Sequence, residues 1–263
     1  MRTLPFLLFM ILLTASLSGQ EINIGFKDSI ESKVLNENRK FIVKLPRDYN
    51  ASERSYPVLY RLDGDMDVYT ETVGTINRLV HMDELIPDMI IVMIENTNRN
   101  RDMMPVNTSY FTSEPGADNF IAFIESELIP HINNSYRTTD EKLLCGQSIS
   151  AIFTFYYFLT HTDSFNAYIA CSGGFPDCED YFIDLTDEFL ETEQAKQRCL
   201  FMTQGLKDFL DPDGVIKKQL YDFTQRIESK ENIVCKMKSY EDEGHVPFQS
   251  LYHALRFIYS SEN

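Results

Sequence analysis

The stretch Lys142 to Tyr157, KLLCGQSISAIFTFYY, reads as an apolar strand that stops at Gly146, a sharp turn with Ser148 at its tip, and a long apolar helix. A turn this tight is strained, so small residues flank the serine. The serine hydroxyl then stands clear of the strand, with the N–H of Ile149 directly beside it. The common pattern for such a turn is G-x-S-x-G; here it is Gly146-Gln147-Ser148-Ile149-Ser150, with serine in the last small position. Short Gly/Ser patterns recur in ordinary loops, so the weight of this one comes from what surrounds it.

Working outward toward the amino terminus, Glu31 to Leu35 and Arg39 to Leu45 read as two strands turned at Asn36-Glu37-Asn38, an antiparallel opening pair. Tyr56 begins an apolar strand that runs into Asp63-Gly64-Asp65, and a glycine after a strand marks a turn that can face a ligand. A helix over Val68 to Met82 and an apolar strand over Met89 to Ile94 follow. Strands that are apolar throughout and alternate with helices signal a parallel sheet covered on both faces. Glu95 to Gly116 is a long polar loop carrying Arg99, Arg101 and Asp102, whose packed charges suit structural salt bridges, with recognition of an acidic substrate as the alternative. An amphipathic helix over Asp118 to Ile132 then leads to the elbow.

Beyond the elbow helix, Ala167 to Cys171 is a strand, Asp177 to Gln194 a small cap or surface helix, and Cys199 to Thr203 a strand. Val215 to Ile227 is a helix, Val234 to Tyr240 the last strand, and Pro247 to Tyr259 the closing helix. Ser148, Asp208 and His245 each follow the carboxyl end of a predicted strand, and in a parallel sheet those ends share one edge. A serine nucleophile needs a base, and the base a carboxylate to fix its tautomer. His245 is the one histidine in a post-strand turn. The acid is Asp208, with Asp211 and Asp213 in the same loop as alternatives; Asp211, ahead of Pro212, suits a helix cap. Backbone N–H groups for a developing oxyanion are expected from Ile149 and from Asp65, with Met66 as the alternative to Asp65.

The length of 263 residues suits one α/β domain, residues 20–263, behind a leader. Residues 1–19 hold Arg2, an apolar run from Leu4 to Thr14 and small residues up to Gly19, the pattern of a secretory signal peptide. This predicts export to the periplasm or the extracellular space, with no stable membrane insertion once the leader is removed. Without the leader, 23 basic side chains face 40 acidic ones, a net charge of −17, which makes nucleic acid and anionic membranes poor partners. Five cysteines match no zinc spacing, and no metal or cofactor is expected. Cys145, Cys199 and Cys235 lie in apolar strands, and only Cys171 with Cys178 suits a local disulfide.

Taken together, the chain resembles the Putative esterase family of α/β-hydrolases, which includes siderophore esterases, S-formylglutathione hydrolases, feruloyl esterases and mycolyltransferases. The resembling segments are YPVLYRLDGD (56–65), NRNRDMMP (98–105), the helix over Asp118 to Thr138, CGQSISAIF (145–153) and EGHVPF (243–248). The resemblance implies an α/β-hydrolase fold and a metal-free carboxylic-ester hydrolase acting on a small-molecule ester, with Ser148 and His245 carried over directly. An acyltransferase would use the same residues, and a non-catalytic binding protein the same scaffold. Gln147 stands where His is common, and Ser150-Ala151 where the family has two glycines. On size alone, the sequence predicts that Ser150→Gly changes the rate little or raises it modestly.

Overall fold

Apolar strands need cover on both faces, and the computed structural model, which describes residues 24–175 and 177–260, supplies it. The expected leader lies outside the described residues. Eight strands form one sheet in the order β1-β2-β4-β3-β5-β6-β7-β8. They are β1 (Phe26–Ser32), β2 (Glu37–Lys44), β3 (Tyr56–Arg61), β4 (Ile90–Ile94), β5 (Thr138–Gln147), β6 (Ala167–Cys171), β7 (Arg198–Gly205) and β8 (Ile233–Tyr240). β2 is antiparallel to both β1 and β4, and every pairing from β4 to β8 is parallel. This is the α/β-hydrolase sheet with an antiparallel opening.

Side chains alternate across the sheet, so Val58 and Tyr60 of β3 face one core while Leu59 faces the other. The second core is closed by α1 (Met66–His81) and α8 (Ser250–Ile258). The first is covered by α3 (Ala117–Phe123), α4 (Ile129–Ser135), α5 (Ile149–Thr160), α6 (Glu179–Glu191) and α7 (Val215–Ile227). α5 is buried from Ser150 to Leu159, which explains why its sequence shows no polar face. Burying each Phe or Ile of that helix contributes about 1.5–3 kcal/mol.

Four sequence expectations shift. β1 starts earlier than Glu31 and the turn falls at 33–36, with Asn36 at φ 52°. The strand was hidden because only Phe26 and Ile30 are apolar. The turn is fixed from afar: Glu127 accepts the N–H of Lys33 (2.8 Å) and Val34 (3.2 Å). The polar loop contains a five-residue helix, α2 (Arg99–Met103). The amphipathic helix widens into a π turn at Ile124–Leu128, just before Pro130, which has no N–H for the carbonyl four residues back. Finally, Cys171 and Cys178 are both free thiols. Cys171 points into the α1/α8 core and Cys178 into the α5 core, so the sheet separates them.

Candidate active site

The elbow is built by a collision that only glycine avoids. A Cβ on Gly146 would sit 2.1 Å from the carbonyl oxygen of Ser150, so the first turn of α5 packs directly on β5. Ser148, between them, takes φ 55° and ψ −122°, a conformation costing of order 1–3 kcal/mol that persists because its surroundings over-determine it. Its N–H donates to the Cys171 carbonyl of β6 (2.9 Å).

β7 and β8 deliver the other two groups. His245 Nε2 lies 2.9 Å from Ser148 Oγ, and His245 Nδ1 lies 2.8 Å from Asp208 Oδ2. The hydrogen-bond network assigns the tautomer: Nδ1–H donates to the carboxylate and Nε2 accepts from the serine. Asp208 is buried and also accepts from Gln204 Nε2 (3.1 Å) and Leu210 N–H (2.9 Å). Asp211 instead accepts the N–H groups of Ile216 and Lys217, both at 2.9 Å, and so caps α7. Asp213 is exposed. The histidine turn is pinned by Val246, whose N–H donates to Ser172 Oγ (3.1 Å) although a β-branched residue rarely adopts its φ of 56°.

Oxyanion donors must be free to turn toward a ligand. Ile149 is the first residue of α5 and Met66 the first of α1, where a backbone N–H has no carbonyl within its own helix. The N–H of Asp65, expected as a donor, is bent onto the Asp63 carbonyl (2.8 Å), and its carboxylate caps α1 through Val68 N–H (2.8 Å). Gly64 is required here because a Cβ would lie 2.7 Å from the backbone of Ile94.

Beneath the elbow lies a polar network that sequence reading missed. Asp63, 3% exposed and at φ 58°, receives Arg99 through two bonds (2.6 and 2.7 Å), Asn96 Nδ2 (2.9 Å) and Ser150 Oγ (2.7 Å). Burial pushes the Asp63 carboxyl up, but Arg99, Asn96 and Ser150 outweigh it and hold it below the usual carboxylate range. Arg61, also buried, donates to the Gln147 side chain and to the Cys145 carbonyl (3.4 Å), which gives Gln147 its task as an acceptor. In the loop, Arg101 pairs with Glu37 and Asp102, and Asp102 also receives Arg39 of β2 (2.6 Å), the salt bridges that the packed charges suggested. The Asp63-Gly64 pair hinted at a turn, but nothing local in the sequence pointed to its partners.

Past His245 the surface changes character. Phe209 is 75% exposed, with its ring centroid 5.8 Å from the imidazole. The loop carrying Asp208 continues into the wall of a cavity of about 750 Å³ lined by Tyr110, Phe175, Tyr181 and Leu210 among others. Asp177, Glu179, Asp180, Asp211 and Asp213 also line it, and among its described lining residues there is no Lys, Arg or His.

An α/β-hydrolase sheet presenting Ser, His and Asp in this contact defines a serine hydrolase. The family model described as Putative esterase matches residues 32–229, and the chain belongs to that family. It is 25% identical over 251 residues to the ferri-bacillibactin esterase BesA of Bacillus subtilis, covering 84% of this chain and 86% of that one. The crystal structure of an IroE-like serine hydrolase from Shewanella oneidensis superposes with a TM-score of 0.80 at 27% identity, covering 89% of this chain and 80% of that chain. The siderophore hydrolase EstB from Aspergillus nidulans shares the fold, with a TM-score of 0.76 at 18% identity over 93% and 97% of the two chains. The chain is a serine esterase. Among the described residues no helix is long and apolar enough to cross a membrane.

Proposed function

We propose that this chain hydrolyses carboxylic esters through an acyl-enzyme on Ser148. Ser148 Oγ attacks the ester carbonyl while His245 Nε2 takes its proton, and Asp208 holds the imidazolium that results. The N–H groups of Ile149 and Met66 receive the oxyanion; the engaged N–H of Asp65 favours Met66 over it. Collapse of the tetrahedral intermediate expels the alcohol, which leaves with the proton from Nε2. Water, deprotonated by the same nitrogen, then attacks the acyl-enzyme, and the carboxylic acid is released with Ser148 restored. The continuous contact from Asp208 through His245 to Ser148 carries this reading.

The surroundings narrow the ester. Phe209 offers an apolar ring beside the base, and a wall of carboxylates disfavours polyanions, so neutral or cationic esters with an apolar group near the scissile bond fit best. The names of the relatives favour a second reading, a siderophore ester. We further read residues 1–19 as a secretory leader and residues 20–263 as one exported domain. A fluorophosphonate probe should label Ser148, and Ser148→Ala should abolish both labelling and turnover of p-nitrophenyl esters while the protein stays folded. Labelling that persists in Ser148→Ala, or that maps to Ser150 or Ser172, would overturn the assignment.

A further inference from the structure

The final position of the elbow pattern is filled by glycine in most such turns, and the serine here is fully buried at 0% exposure. Its bulk is not what meets the strand; the Ser150 carbonyl does that, against Gly146. Its hydroxyl is fully used. Ser150 Oγ accepts the Gln147 N–H (2.6 Å) and lies 2.7 Å from Asp63 Oδ2 and 2.8 Å from the Gln147 carbonyl. It has one proton to give, and the carboxylate is the stronger acceptor. Arg99 closes the ring, bonding Asp63 on one side and the Gln147 carbonyl (3.1 Å) on the other.

β3 and β5 pair side by side, and Arg61 and Arg99 also bridge them; the Ser150 bonds add a tie at the point where the two segments leave the sheet for the elbow and the oxyanion loop. Gln147 precedes the nucleophile and the Ile149 donor. Asp63 precedes Gly64, Asp65 and the Met66 donor. An oxyanion hole assembled from two loops works only if their separation is held to within a fraction of an ångström, since a misplacement of about 1 Å costs on the order of 100-fold in rate. We propose that Ser150 is a positioning residue that, through Asp63, fixes the oxyanion loop against the elbow. The proposal rests on the esterase reading above. It also reverses the expectation drawn from size alone: Ser150→Gly removes the Ser150 tie, leaving Arg99 as the side-chain bridge between Asp63 and Gln147, and leaves the Gln147 N–H and one Asp63 oxygen buried without this partner.

Ser150→Ala and Ser150→Gly are expected to lower kcat by about 10- to 100-fold while KM stays within about threefold, because the loss falls on the transition state. A trifluoromethyl ketone, whose hemiketal oxyanion occupies the same hole, should lose affinity across the variants in proportion to kcat/KM. A packing defect alone has no reason to produce that proportionality. Asp63→Asn should show a similar loss, and the double variant with Ser150→Ala should be no worse than about the poorer single one. Folded Ser150→Ala or Ser150→Gly enzyme with kcat/KM within about twofold of wild type would overturn the proposal. So would a trifluoromethyl ketone affinity that does not move with it. If both serine variants fail to fold, wild-type kinetics in Asp63→Asn would overturn it instead. Wild-type protein that neither turns over esters nor labels at Ser148 would refute the esterase reading, a separate outcome.

Discussion

The two walls of the site are made differently. On the elbow side, Asp63, Arg99, Ser150 and Gln147 form a network whose centre is buried and which leaves the backbone almost no freedom. On the cavity side, Phe209, Leu210 and Tyr110 stand exposed, and the cavity is lined by the carboxylates of Asp177, Glu179, Asp180, Asp211 and Asp213. Buried, charge-assisted bonds set positions; exposed rings and charges are free to vary without disturbing them. On the function proposed above, the first wall serves the chemistry and the second the selection among esters.

The comparison breaks most sharply at the loop that belongs to both walls. Asp208→Asn should lower kcat by about 10⁴-fold, because an amide imposes the wrong imidazole tautomer. Asp211→Asn, three residues on, should leave turnover nearly intact and cost only about 1 kcal/mol or less of stability through the α7 cap. Equal losses at both positions would erase the boundary between the walls. A smaller effect is expected where the charges are exposed. The triple variant Asp177→Asn, Glu179→Gln, Asp180→Asn should reduce the preference for cationic over anionic esters by about three- to tenfold, and added salt should shrink the difference. Steady-state kinetics on a charge-matched ester series would show it, and an unchanged ratio would remove the cavity from substrate selection.

Acid sharpens the contrast more gently. The Asp63 carboxyl is held below its ordinary value in the folded chain, so the unfolded state binds its proton first as pH falls. Its contribution is complete above the unfolded value of about 4 and is lost as pH drops toward the folded one. Thermal melts between about pH 6 and pH 3 should therefore show a smaller decline for Asp63→Asn than for wild type. Parallel curves would mean that the buried network does not govern acid stability.

What the sequence made legible was local. The elbow could be read from sixteen residues because strand, turn and apolar helix follow one another without interruption. The order of serine, acid and histidine could be read because each follows a strand and parallel strands end together. Asp63 was invisible as a network centre, since Ser150 is 87 residues away and no local pattern reports a left-handed aspartate. Ser150 therefore looked like a bulky glycine substitute. The cysteine pair failed for a geometric reason: residue spacing along the chain says nothing about which face of the sheet each thiol enters.

The opening hairpin has a consequence in time. The turn between β1 and β2 is closed by a carboxylate that the chain reaches 94 residues after Lys33. A ribosome working from the amino terminus makes the hairpin long before it makes Glu127, so the nascent turn has water for a partner throughout that interval. The turn joining the first strands to be synthesised thus gains its final fastening only after the segment leading to the elbow exists.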